Sequence, residues 1–177
     1  MNEPWYRSIF IRPGKSNLKT ITAKAEQGDS EAQFGLGLMF SSIGEAQDYA
    51  AAAQWYLKAA QLDHPLAQFN LAQMYAKGQG VERNDQEALV WMRKAADQGD
   101  AGAQFELGSR NHRFSVRPSD PDAAEFRIEA YKWFYLAAAQ GYNRAAAASE
   151  RVTLGMTHEE VAEGEHRIGL FESTTEL

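Results

Sequence analysis

The 177-residue chain has no cysteine, which removes disulfide frameworks, zinc ribbons, thiolate catalysis and iron-sulfur clusters from consideration together. Proline is sparse, at five residues, and valine and isoleucine are few, so a sandwich or barrel of strands is not expected. Nowhere do about 18 apolar residues run together, and the start of the chain lacks the basic region and apolar core of a secretory leader. The expectation is a soluble, cytoplasmic protein with no membrane partner. Basic excess is missing too: 24 acids face 18 Lys and Arg for a formal charge of -6. Sequence-independent phosphate binding is therefore disfavoured, and no nucleic-acid partner is expected.

What the chain does have is alanine, 29 residues of it, in a pattern that repeats. Trp55, Trp91 and Trp133 share one frame: an alanine three residues before (Ala52, Ala88, Ala130) and an alanine pair four and five after (Ala59-Ala60, Ala95-Ala96, Ala137-Ala138). A second block recurs upstream as Ala32-Gln33-Phe34-Gly35-Leu36-Gly37, Ala67-Gln68-Phe69-Asn70-Leu71-Ala72 and Ala103-Gln104-Phe105-Glu106-Leu107-Gly108. Both blocks have helical periodicity: Ala52, Trp55, Ala59 and Ala60 form one stripe, and Ala67, Leu71, Ala72 and Tyr75 form another. Each repeat therefore predicts a helical hairpin that buries its face only by stacking on the next one. Leu36, Leu71, Leu107, Tyr75 and the three tryptophans Trp55, Trp91 and Trp133 are the expected core. In the middle repeat, Gly78-Gln79-Gly80-Val81 predicts the turn between helices, and Asn84 with Glu87 reads as a capping box.

The frame A-x-F/Y-x-L-G-x-M-Y, then G-x-G-V, then A-x-x-W-x-x-K-A-A-x-x-G, resembles the Sel-like repeat, a relative of the tetratricopeptide hairpin. Leu71, Met74, Tyr75, Gly78, Gly80, Val81, Ala88, Trp91, Lys94, Ala95, Ala96 and Gly99 carry the match in the middle repeat. The resemblance spans residues 23–155. It implies an all-α, right-handed α-α superhelix, a solenoid that works by binding other proteins as an adaptor or regulator.

Solenoids need atypical ends. Residues 1–22 read as an N-terminal segment leading into a capping helix over Ser16 to Gln27, and residues 156–177 as a C-terminal capping helix with an acidic tail. Ala145 to Val152 begins a partial fourth repeat, and Thr157 to Glu160 reads as the capping box of the last helix. Trp5, Tyr6, Ile9, Phe10 and Ile11 lie outside any repeat and are expected to pack on the first hairpin or dock on a partner. The third repeat departs from the frame: Asn111 replaces the aromatic, the Gly-x-Gly turn is missing, and extra residues precede Trp133. Residues 110–121 are expected to form an irregular loop, with Asp120-Pro121 starting the next helix.

At about 100° per residue, the side of each first helix opposite its core carries Phe34 and Leu38 in repeat one, Phe69, Gln73 and Lys77 in repeat two, and Phe105, Ser109, His112 and Arg113 in repeat three. The fourth first-type helix adds Arg151. In tetratricopeptide-like solenoids this side lines the concave groove, so these residues are the candidate binding set. The set runs from apolar to basic, which suits a peptide with an apolar anchor and an acidic or carboxylate end. The phenylalanines could equally be packing residues between adjacent helices.

Catalytic signatures are absent. His158-Glu159-Glu160-Val161-Ala162 lacks the second histidine of a metalloprotease helix, and Glu159, Glu163 and His166 share a face that reads as solvated rather than metal-binding. His64 falls in an inter-repeat turn and is expected to be structural. No cofactor, metal or catalytic residue is expected. The reading is a non-catalytic module, expected to be monomeric, with an inhibitor or immunity-type protein as the alternative and a hydrolase as a more distant one.

Overall fold

The computed structural model describes residues 15–42, 48–117 and 121–175, with side chains from Leu18 to Thr174. All the regular structure among these residues is helical: α1 (Lys15–Glu26), α2 (Ser30–Ser42), α3 (Tyr49–Gln61), α4 (Pro65–Lys77), α5 (Asp85–Asp97), α6 (Ala101–Ser115), α7 (Ala123–Ala139), α8 (Ala145–Thr153) and α9 (His158–Thr175). This is the all-α repeat class expected from the Trp and Ala frames. The helices belong to two compact units, residues 1–91 and 92–177, with α5 contributing half its length to each.

In the first unit, α1 packs on α2, α2 on α3, and α3 on α4. Ala52, Ala59, Ala60, Ala67 and Ala72 are completely buried, so the small side chains sit where backbones approach one another. Phe34, Tyr56, Leu71 and Met74 fill the remaining volume, with Tyr75 and Trp91 packed at the margin. The approach is close at Gly37, where a Cβ would lie 2.5 Å from ring carbons of Tyr56. Gly108 repeats that arrangement in the second unit, a Cβ there lying 2.6 Å from the Phe134 ring. In the second unit α7 is central and receives α6, α8 and α9.

The tryptophans are not equivalent. Trp133 is completely buried, whereas Trp55 and Trp91 are only partly so. Trp55 borders a small cluster of Ala25, Ala32, Leu36 and Met39, with the Lys58 ammonium 4.0 Å over its ring. Trp133 is closed over by α9, whose Phe171 ring meets it edge-on at 5.7 Å. The buried aromatic beside the frame tryptophan in the first repeat is Tyr56, one residue further on.

Local signals explain the helix ends. Asp29, Asp48 and Asp100 each accept a hydrogen bond from the backbone N–H three residues on, and His64 does the same through Nδ1 at 3.3 Å. Thr157 and Glu160 form the expected reciprocal box, at 3.2 and 3.1 Å. Asn84 caps α5 through its side chain, but its own N–H goes to the Tyr75 carbonyl at 3.0 Å, so that box is not reciprocal. Helices α1, α8 and α9 stand over the segments read as the N-terminal capping helix, the start of a fourth repeat and the C-terminal capping helix. The aromatic segment of residues 5–11 lies outside the described residues.

The largest departure from expectation concerns the third repeat. Residues 110–115 continue α6 as helix instead of looping out, and α7 begins at Ala123, with Asp122 at its N-cap. Asp120 lies outside the described residues. No glycine stands where Gly78 ends α4 in the left-handed conformation; the corresponding residue is Phe114, and the helix runs on. Asn111, which replaces the frame aromatic, donates from its amide to the Leu107 carbonyl at 3.0 Å and so satisfies itself within the helix.

Candidate functional site

The side of the first helices singled out by sequence divides into buried and exposed residues. Phe34 is a correction: at 3% exposure it is a core residue, stacked 4.5 Å from His64 and 5.9 Å from Tyr56. Its place follows from His64 capping α4, which brings the imidazole over the ring. Leu38 is partly buried against the same core. Also in the first unit, Phe69 and Gln73 are half-buried and Lys77 is exposed.

In the second unit Phe105 is half-buried, 5.4 Å from Phe134 and 5.1 Å from Tyr142. It occupies the same place in its repeat as Phe34, but Tyr142 stands where the first repeat has His64 and is itself 38% exposed, so this aromatic cluster opens to solvent. Ser109 and His112 are half-buried on α6, Arg113 is exposed on its last turn, and Arg151 is exposed on α8. Nδ1 of His112 is shut off from solvent without a hydrogen-bond partner among the described residues.

The ion pairs sort the arginines into two groups. Arg83 pairs with Asp85, Arg93 with Glu129, Arg127 with Glu160, and Arg167 with Glu125, Glu129 and Glu163. Arg110, Arg113, Arg117, Arg144 and Arg151 face no carboxylate within ion-pair distance among the described residues, and all five belong to the second unit. Arg110 and Arg117 lie over the Phe114 ring at 5.3 and 4.1 Å.

Elsewhere the titratable groups are structural. Hydrogen bonds from Arg167 hold Glu125 below the ordinary glutamate value, and hydrogen bonds from Arg127 do the same for Glu160. Burial lowers Lys132 and pushes Tyr56 up to about 12. Glu163, considered above as part of a metal-binding face, accepts from Arg167 at 2.7 Å.

One recurring feature was missed by sequence reasoning. Gln33, Gln68 and Gln104 are buried, and each donates its side-chain amide to the carbonyl eight residues back, of Ala25, Ala60 and Ala96, at 2.9, 3.2 and 3.2 Å. The signal was in view as the glutamine of the Ala-Gln-Phe block. What it reaches depends on the turn between hairpins, where Gly28, Asp63 and Gly99 all have positive φ.

Comparison with known proteins agrees with this architecture. The Sel1 repeat model matches residues 30–64, 65–100 and 101–142. Chitin synthase regulatory factor 3 of Schizosaccharomyces pombe is 33% identical over 149 residues, 77% of this chain but only 15% of that protein. Among solved structures, c5321, a protective antigen of uropathogenic Escherichia coli with an SLR fold, superposes with a TM-score of 0.75 at 28% identity, over 90% of this chain and 33% of its own. A Sel1 repeat protein from Oxalobacter formigenes gives a TM-score of 0.59 at 32% identity, over 73% of this chain and 92% of its own. With three repeats covering most of its length, the chain belongs to the Sel1 repeat family.

Proposed function

We propose that the chain is a non-catalytic adaptor or regulator that seats a segment of another protein on the exposed side of the first helices of its repeats. The observation that carries this reading is the group of second-unit arginines with no carboxylate partner among the described residues, in a chain whose other described arginines are paired. Unpaired, exposed guanidinium groups remain available for bidentate contact with carboxylates. Phe105, half-buried beside Tyr142, offers an apolar anchor on the same helix as Ser109, His112 and Arg113. Aromatic rings and arginines are the residue types that dominate binding energy at interfaces. In the first unit, taken by itself, Gln73 and Lys77 are the corresponding candidates, and Phe34 is excluded because it is buried.

Affinity capture from the native cell, followed by a binding measurement with the purified partner, tests the reading with Arg113→Glu and Lys77→Glu. Both are surface changes and should alter stability by no more than about 0.5 kcal/mol. Arg113→Glu should weaken the partner about tenfold, the effect of losing a charge-assisted contact and gaining a repulsive one. Unchanged affinity in both variants would remove this surface from consideration.

A further inference from the structure

The third repeat differs from the others by growth at the facing ends of its two helices. Helix α6 has 15 residues where α2 and α4 have 13, and α7 has 17 where α3 and α5 have 13. The added residues include Phe114 on α6 and, counting back from Trp133, the first turn of α7 with Phe126. These two rings pack on one another, 5.3 Å apart and inclined at 32°. The extension is thus an ordered aromatic pair and not a slack insertion. Arg110 and Phe114 fall at i and i+4 on α6, Arg117 follows just beyond the end of the helix, and both guanidinium groups lie over the Phe114 ring. A guanidinium held over a ring by cation–π attraction retains N–H donors for carboxylates.

We propose that this extension is an anchoring site for an acidic protein segment, whose neighbouring carboxylates are received by the N–H donors of Arg110 and Arg117 held over Phe114. The proposal rests on the reading of the chain as a protein-binding module and names the chemistry of its partner. Charge complementarity carries it: neither arginine has a carboxylate partner among the described residues, and cation–π attraction to a ring held by Phe126 reduces the side-chain entropy lost on binding. A short acidic segment also suits the surroundings better than a long polyanion. The chain is acidic overall, and α9 carries Glu159, Glu165 and Glu172 exposed, which would repel an extended phosphate backbone.

The test is an NMR titration of the full chain, following the arginine Nε–Hε resonances. The probe is a synthetic peptide with a short run of consecutive glutamates between glycine-serine ends, and a single-stranded oligonucleotide of matching charge serves as comparison. The peptide should shift Arg110 and Arg117 saturably and leave Arg144, which is exposed and also without a carboxylate partner, unchanged. Phe114→Leu, which keeps both charges, should weaken the apparent affinity about three- to fivefold. Arg110→Gln with Arg117→Gln should weaken it about tenfold or more. Three outcomes overturn the proposal: no shift at millimolar peptide, equal shifts at Arg144, or tighter binding of the oligonucleotide. Loss of partner affinity in Arg113→Glu without peptide shifts at Arg110 and Arg117 would leave the protein-binding reading standing and sink this site alone. Peptide shifts at Arg110 and Arg117 with partner affinity unchanged in Arg113→Glu and Lys77→Glu would remove the first-helix surface and leave this site standing.

Discussion

At the scale of single residues, the repeat is held by a polar contact that its apolar pattern does not disclose. Gln68 is fully buried, and its amide lies 3.2 Å from the Ala60 carbonyl and 3.4 Å from Oδ1 of Asp63. Leucine has similar bulk but no donor, so Gln68→Leu should cost about 1–2 kcal/mol, measured by chemical denaturation. A variant of wild-type stability would show that the contact contributes nothing net. Asp63 sets up this geometry, with φ at 58° where Gly28, Gly99 and Gly141 occupy the corresponding turns. Aspartate tolerates the left-handed region and a β-branched residue does not. Asp63→Val should therefore cost about 1–2 kcal/mol, whereas Asp63→Gly should not destabilise the turn itself. Sequence alone does not single out Asp63, because the backbone angle it adopts is a property of the assembled turn.

Among the elements, α9 is the one whose docking is most exposed to solution conditions. Its sequence announced a capping box and a few apolar residues, and both are present. The ion pairs that fasten it were not legible, since they join residues more than thirty positions apart. Arg127 of α7 meets Glu160 at 2.6 Å, so one carboxylate both caps α9 and ties it to α7. Arg167 gathers Glu125 and Glu129 from α7 together with Glu163 from its own helix. Glu125 and Glu160 are held below the ordinary value of 4.5 by their arginines, so their contribution is present above that pH and lost as pH falls through the lowered values. Asp97 and Asp100, raised by burial, act in the opposite sense and offset part of the loss. Acidification below about pH 4 should thus loosen α9, uncover Trp133 and shift its fluorescence to the red. Phe171→Ala should produce a smaller red shift at neutral pH, because the ring meeting Trp133 edge-on is removed. An emission maximum insensitive to both changes would contradict the assignment of α9 as the cover of this tryptophan. The extension of the third repeat escaped sequence reading for a different reason. Missing glycines and added residues resemble a loop unless Phe114 and Phe126 are known to meet.

On the scale of the whole molecule, the charge of -6 conceals a division of labour. Carboxylates are used in part to satisfy arginines at helix contacts, as with Glu160 and Glu129, while the arginines without carboxylate partners among the described residues all lie in the second unit. Half-buried pairs such as Arg127 with Glu160 are screened little by salt, but exposed guanidinium groups such as Arg113 are screened strongly. Partner binding and fold stability should therefore respond differently to ionic strength. Raising NaCl from about 50 to about 500 mM should weaken the captured partner several-fold, chiefly by slowing association, while the melting temperature moves little. In Arg113→Glu the salt dependence should flatten, because the attraction that salt screens has been replaced by repulsion from a partner carboxylate. Association kinetics at several salt concentrations, with a melting curve at each, separate the two effects. An affinity indifferent to salt would mean that these arginines stay solvated in the complex and that the partner is held by apolar contacts alone.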